Sequence, residues 1–390
     1  MTMKKLLICL FALVAVMAGC SSDDDLDGSS KSSSSSLRQV VDSLDSNYVY
    51  ELPVVFHVLY NDENSATQYI PYQRLANILS YVNQIYQGNV YGESENINVK
   101  FVLATKDENG NTMRYPGVDY VKYTGEYPID VNAFMTDNTG ANVKYIWEPN
   151  NYINVMMFNF KPDSKDSANI VLGISHMPYS VKGSSHQLEG LATVTNENLK
   201  KSNLGYAYCS AINSLYAGQQ SGGGFYQSDR YTNINHQATN FSPADIVVTV
   251  AHELGHYLGL YHDFTESKSN SSVEPVDSCG DTDYCADTYS YNRAEYLEFV
   301  NRQLSNTSIK HYMVDLVQRR SCDGIAFNAD NIMDYFFTYG FKITKDQKTR
   351  IRNVLNYSPL IPGPKLSNGT TSTRASEPSG RIDLPITIIK

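Results

Sequence analysis

The segment His252-Glu253-Leu254-Gly255-His256-Tyr257-Leu258-Gly259-Leu260-Tyr261-His262 constrains this chain most, because it asks for a helix, a sharp stop and a return within a short span. Upstream, Ser242-Pro243-Ala244-Asp245 offers an N-cap serine, a first-turn proline and an acidic third position, while Val247, Val250, Ala251, Leu254 and Leu258 recur at helical spacing. The pattern predicts a helix that starts near Pro243. Four residues apart on it, His252 and His256 stack their imidazoles on one face about 6 Å apart, a separation that one zinc ion bridges. Glu253 sits one step round, so its carboxylate reaches a water at that ion without ligating the ion, which is the placement of a general base. Gly259 tolerates the positive φ that ends a helix abruptly, and the chain then turns to present His262 as a third ligand. Three histidines leave one coordination position open, which separates a catalytic zinc site from a closed structural one.

The rest of the chain bounds the setting. Lys4 and Lys5 precede the uncharged run Leu6 to Ala18, then Gly19 and Cys20, which reads as an export signal. The run is too short to span a bilayer, which takes about 20 apolar residues. Val16-Met17-Ala18-Gly19-Cys20 is similar to the lipobox of bacterial lipoproteins, which implies lipidation at Cys20 and a membrane anchor. Ser21-Ser22-Asp23-Asp24-Asp25 resembles the acidic tag that sends such proteins to the outward side of the outer membrane; a plain secretory signal is the alternative. Of the other cysteines outside the leader, Cys209, Cys279, Cys285 and Cys322 form an even set suited to an oxidising compartment. Their three pairings stay open, and the spacing of Cys279 and Cys285 is longer than that of a usual zinc pair. A net charge of -10 without a basic face disfavours a general nucleic-acid binder. Thirty tyrosines suit half-wet strands and surfaces, so an exposed, β-containing protein is expected.

Periodicity predicts a buried strand at Leu52–Tyr60, in which His57 is a hydrogen-bonded core residue, and a helix at Gln73–Gln87 stopped by Gly88. Further strands are expected at Ile97–Ala104, Tyr152–Phe160 and Val171–Met177, and helices at Asn292–Leu304 and Ile309–Arg320. Gly218 to Gly224 lacks the lysine of a phosphate loop and reads as a surface loop. Thr344 and Gln347 form a capping box for a helix carrying Ile351, Val354 and Leu355. Ile382 to Ile389 suits either a strand or a loose end.

Asn331-Ile332-Met333-Asp334-Tyr335, taken with the extended histidine string, resembles the Met-turn of the metzincin zinc metalloproteases, whose zinc signature His252 to His262 matches position for position. Within that superfamily the chain is most similar to the pappalysin group, through both motifs, the Leu52–Tyr60 run, Asp287-Thr288, and Ile343-Thr344-Lys345-Asp346-Gln347 leading to Arg350-Ile351. Asp263 stands where pappalysins usually carry threonine. The resemblance, over residues 50 to 357, implies an α+β fold: a metzincin-like catalytic domain with a mixed twisted sheet and active-site helix above the cleft, and a smaller, mainly helical C-terminal subdomain. It implies Met333 as a hydrophobic floor beneath the metal and Tyr335 at the open side, steadying an oxyanion. It favours a Cys279–Cys322 disulfide, with Cys209 and Cys285 the remaining pair.

The expected organisation is a signal peptide at 1–19, a flexible tether at 20–47, an N-terminal catalytic subdomain at 48–262, a C-terminal subdomain with the Met-turn at 263–360, and a tail at 361–390. The expected function is a zinc (Zn2+) endopeptidase acting on extracellular proteins or peptides. A non-catalytic surface adhesin or binding lipoprotein on a metalloprotease scaffold is the alternative, and Glu253 and Tyr335 weigh against it, since a scaffold needs no proton shuttle. Asp277, Asp281, Asp283 and Asp287 offer hard carboxylates suited to calcium (Ca2+), with solvated loop charge as the plainer account. For latency, Asp42 and Asp45 are the candidates to cap the metal.

Overall fold

A strand covered on both faces must be apolar on both, and the run from Tyr50 to Tyr60 is nearly so. In the computed structural model, which describes residues 40–162, 170–268, 272–306, 313–369 and 378–390, that run is β1 (Tyr50–Tyr60). It is followed by α1 (Tyr72–Gln87), β2 (Val99–Leu103), β3 (Val118–Lys122), α2 (Val131–Thr136), β4 (Ile153–Phe158), β5 (Gly173–His176), β6 (Ser180–Val181), β7 (Thr193–Val194) and β8 (Ser210–Asn213). Then come α3 (Ile246–Tyr257), β9 (Glu266–Lys268), β10 (Ser272–Pro275), α4 (Arg293–Ser305), α5 (Met313–Leu316), β11 (Gln318–Arg320), β12 (Ala326–Asn328), α6 (Lys345–Tyr357) and β13 (Ile388–Ile389). The expected signal peptide, Cys20 and most of the tether lie outside the described residues, among which no helix is long and apolar enough to cross a membrane.

The main sheet is mixed and, among the described residues, nine-stranded, in the order β2-β1-β4-β8-β5-β13-β10-β9 with β3 also on β1. β1 pairs in parallel with β2 along its first half, β3 along its second, and β4 on its other edge. β8 continues the parallel run from β4, and β5 reverses it. The reversal brings β5 under α3, where the site is built. α1 buries Leu75, Ile78, Leu79, Val82 and Ile85 against the sheet, and Tyr86 Oη donates to the Ala251 carbonyl of α3 at 2.9 Å. Gly88 ends α1 at φ +72°; a Cβ there would sit 2.6 Å from the Glu95 carbonyl oxygen.

His57 is a satisfied core residue, its Nδ1 3.0 Å from Asp119 Oδ2 and its Nε2 2.9 Å from Asn154 Oδ1. Residues 219–224 form an exposed turn closed by a bridge between Gln219 and Phe225, and Gly218 before it is buried. The described residues form one compact unit, and strands from both sides of His262 share one sheet.

Three expectations need correction. The tyrosines are not mainly a surface feature: Tyr50, Tyr86, Tyr179, Tyr206, Tyr208, Tyr257, Tyr261 and Tyr291 are among the largest fully buried side chains. Burial is tolerable where a hydroxyl finds an acceptor, as Tyr86 does at Ala251 and Tyr261 does at the Gly190 carbonyl. Within the helix expected over Ile309–Arg320, only Met313–Leu316 is helical among the described residues. Gln318–Arg320 is instead a strand paired with β12, because Arg319 points inward between two exposed neighbours and spends its guanidinium on Leu316, Tyr335 and Phe337 carbonyls. The helix expected from Pro243 starts at Ile246, since Asp245 rather than Ser242 caps it.

Candidate metal centre and active site

α3 is anchored before its first turn. Asp245 Oδ1 accepts from the Val247 and Val248 amides at 3.0 and 3.4 Å, and Oδ2 accepts from the Ser228 amide and Tyr231 hydroxyl at 2.8 and 2.9 Å. Ser242 is left to close a turn on the Ala244 amide. Beneath the middle of the helix, Ser175 of β5 bonds Ser210 of β8 at 2.8 Å, and Ser210 Oγ donates to the Glu253 carbonyl at 3.3 Å. The helix stops at Tyr257, Gly259 turns at φ +95°, and Arg350 of α6 grips that turn by donating to the Gly259 carbonyl at 2.6 Å.

The turn returns His262 to the two helical histidines. The three Nε2 atoms lie 3.0, 3.1 and 3.1 Å apart, and all three rings are buried. Each Nδ1 has its own partner: the Ile332 carbonyl for His252 at 2.7 Å, the Leu260 carbonyl for His256 at 2.8 Å, and Glu266 Oε1 for His262 at 2.6 Å. A carbonyl only accepts, so Nδ1 of His252 and His256 carries the proton and Nε2 presents a lone pair. Three buried lone pairs facing one another have no donor among themselves and call for a cation. Burial, then the neighbouring imidazoles, holds His252 down to about 3 and His256 well below the usual range. His262 is also held well below it, by burial and the Arg293 charge. Unprotonated rings at this spacing fit zinc, for which bonds of about 2.0–2.1 Å place tetrahedral nitrogens about 3.3 Å apart. Among the described residues, this is the one group of three side chains able to hold a metal that converges in this way.

Glu253 is 2% exposed, and its Oε2 has no hydrogen-bond partner in the protein. Burial raises its carboxyl well above the ordinary range. It fits because residue 173 is glycine: a Cβ there would lie 2.3 Å from Glu253 Oε1. Gly255 clears the opposite side, where a Cβ would meet Met333 Sδ at 2.6 Å. Met333 is thus packed directly under the helix turn that carries His252 and His256. Tyr335 stands beside the same histidines, its ring centroid 5.3 Å from that of His252 and 4.5 Å from that of His262. Arg293 lies over the Tyr335 ring at 4.6 Å. Burial holds the Tyr335 phenol well above its usual range, so it remains a donor.

The Met-turn is held from behind. Asn331 exchanges two 3.0 Å hydrogen bonds with Gln347 and accepts from the Met333 amide at 2.9 Å. Asp334 accepts from Tyr291 at 2.5 Å and faces Arg319 at 3.5 Å, both fully buried. The sequence assigns no site role to Gly173, Gly255, Glu266, Arg293 or Arg319. Glu266 is four residues from His262 but not on a helix, so periodicity could not announce it. Asp263 is buried near Asp334 and Asp283, and burial followed by those two charges pushes its carboxyl well up.

The Cys279–Cys322 disulfide is formed. The remaining pair expected between Cys209 and Cys285 is not: both are buried free thiols. Cys209 lies in the main core, 3.6 Å from Met135 Sδ, whereas Cys285 sits in the loop carrying Asp283. Asp277, Asp281, Asp283 and Asp287 do not converge with one another as the three histidines do. Asp277 accepts from Asn292, Asp281 from the Asp283 and Tyr284 amides, Asp283 from Thr288 and Cys285, and Asp287 from the Asp346 amide. Asp45 accepts from the Asn47 amide.

Residues 219–356 match the model of the peptidase family described as pregnancy-associated plasma protein-A. Mature mirolysin of Tannerella forsythia in complex with a cleaved peptide is similar in structure, at 20% identity and a TM-score of 0.47, covering 79% of this chain and 92% of that one. A mutant of Tannerella forsythia promirolysin matches at 20% identity and a TM-score of 0.45, over 79% of this chain and 81% of that one. No curated protein matches. Through residues 219–356, which hold the three histidines and the Met-turn, the chain resembles the pappalysin-type metzincins, and the match supports a metalloprotease.

Proposed function

We propose that this chain is a zinc-dependent endopeptidase that hydrolyses extracellular proteins or peptides. The observation that carries the reading is the convergence of three Nε2 lone pairs beside a buried carboxylate that does not ligate with them. Zinc, when bound by His252, His256 and His262, supplies a Lewis acid that polarises a carbonyl and acidifies water. Glu253 takes the proton of the attacking water and returns it to the departing amide nitrogen. Tyr335 keeps its phenolic proton and donates a hydrogen bond to the oxyanion. The Cys279–Cys322 bridge agrees with an oxidising location, the lipobox-like run ending at Cys20 supports a lipid anchor, and the acidic segment Ser21 to Asp25 supports placement on the outer face of a bacterial outer membrane.

The decisive experiment is the Glu253→Gln variant, assayed for metal content and for cleavage of a quenched peptide library. Zinc is retained at one ion per chain while kcat/KM falls about 10²–10⁴-fold. Undiminished cleavage by the variant, or cleavage by the unaltered chain after exhaustive chelation, refutes the reading.

A further inference from the structure

β5 lies against the helix that carries Glu253: Gly173 at its start is the glycine that Glu253 packs on, and Ser175 belongs to the hydrogen-bonded pair below the Glu253 carbonyl. One edge of β5 is covered by β8. The other edge is covered by the chain's own tail, with Ile388 opposite His176, Ile389 opposite Ser175, and the Met177 amide donating to the Thr387 carbonyl at 3.0 Å. The pairing is antiparallel, so the tail advances toward Gly173 and Glu253. On its far side runs β10, parallel, with Val273 beside Ile389 and Glu274 3.8 Å from Lys390 Nζ. β10 in turn pairs with β9, which begins at Glu266, the residue that orients His262. Ile388 and Ile389 are 4% and 0% exposed.

A short extended segment is therefore held between two strands, one packed on the proton shuttle and the other linked to a metal-ligating histidine. Backbone pairing with pockets for alternate side chains is how sheet edges recognise peptides, and a peptidase must hold its substrate extended. We propose that this slot is the substrate groove, occupied by the protein's own residues 387–390 as an internal competitor, and that it takes extended peptides in which two bulky aliphatic residues precede a lysine read by Glu274. The proposal rests on the peptidase reading above and deepens it. Displacement of the tail is then a step before cleavage.

The test compares the full chain with a chain shortened to end at Pro385, each also carrying Glu253→Gln. The probe is a fluorescein-labelled Pro-Ile-Thr-Ile-Ile-Lys peptide. Fluorescence anisotropy is expected to show at least about ten-fold tighter binding to the shortened Glu253→Gln protein than to its full-length counterpart. Replacing the peptide's lysine by glutamate is expected to cost about ten-fold, and Glu274→Lys to recover it. The shortened active chain is expected to cleave library peptides about ten-fold faster in kcat/KM, with the free hexapeptide as a competitive inhibitor. If shortening abolishes zinc binding, Ile389→Glu in the full chain replaces it under the same two readouts. Equal binding and equal cleavage by both lengths, with zinc retained, overturns the slot while leaving the peptidase reading intact. The expected binding pattern with no cleavage by any active form upholds the slot and overturns the peptidase reading.

Discussion

Each imidazole of the proposed metal centre is aimed by an acceptor at Nδ1, and only for His262 is that acceptor a carboxylate. A carboxylate both orients the ring and raises its basicity, so Glu266→Gln, which keeps an acceptor but drops the charge, is expected to weaken zinc binding about 10–100-fold in chelator competition. Unchanged affinity would remove that role from Glu266. His252, His256 and His262 were legible because their relation is local, set by a helical turn and a glycine bend. Gly173 and Gly255 were not, because what makes glycine necessary there, Glu253 Oε1 in one case and Met333 Sδ in the other, comes from other parts of the chain. Long-range burial also makes Asp283 unusual, raising its carboxyl from 3.8 to about 7. A raised folded pKa means that the folded state holds the proton more tightly, so the contribution to stability is complete below pH 3.8 and is lost as pH rises through about 7. Asp283→Asn is expected to gain about 1–3 kcal/mol on the unaltered chain at pH 8, narrowing toward pH 4. Thermal melts across that range check it, and a difference that does not vary with pH contradicts it.

At the scale of elements, α6 shows how a local signal comes to serve a distant site. The capping box was readable from Thr344 and Gln347, and the structure has both of its hydrogen bonds, at 3.3 and 2.9 Å. What the sequence did not disclose is that the same Gln347 amide also pairs with Asn331, which accepts from the Met333 amide. Thr344→Ala is expected to cost about 1 kcal/mol, the ordinary loss of a cap. Gln347→Ala additionally strands the buried Asn331 amide and is expected to cost about 2–3 kcal/mol in urea unfolding, with weakened zinc retention. Equal costs would show that Gln347 acts on its own helix alone. The misread starts and stops have the same origin. Asp245 displaces Ser242 as the cap because Ser228, Arg230 and Tyr231 surround it, and Gln318–Arg320 is drawn from a helix into a strand by carbonyls that Arg319 must satisfy. Periodicity sees neither neighbour.

For the molecule as a whole, strand existence was more legible than strand order. β1, β4 and β5 carry their apolar runs in sequence, but the insertion of β13 between β5 and β10 joins segments far apart in the chain through two residues, too few for any pattern. The disulfide belongs to this scale too. Phe264, Tyr291, Tyr296 and Val300 form a hydrophobic cluster separate from the main core, and Tyr335 packs against it. This cluster is small, so the loop bearing α4 relies on a crosslink to restrict its unfolded states. Cys279 and Cys322 are separated by 43 residues, which on the chain-entropy model corresponds to about 4 kcal/mol. Cys279→Ser with Cys322→Ser is therefore expected to lower Tm by several degrees and to open residues 280–321 to limited proteolysis before the sheet is attacked. Because Tyr335 rests on this second cluster while His252 and His256 rest on the main core, the double variant is expected to lose kcat more than zinc affinity. Parallel loss of both, or cleavage beginning in the sheet, would mean that the two cores unfold as one unit and that the bridge does not act locally.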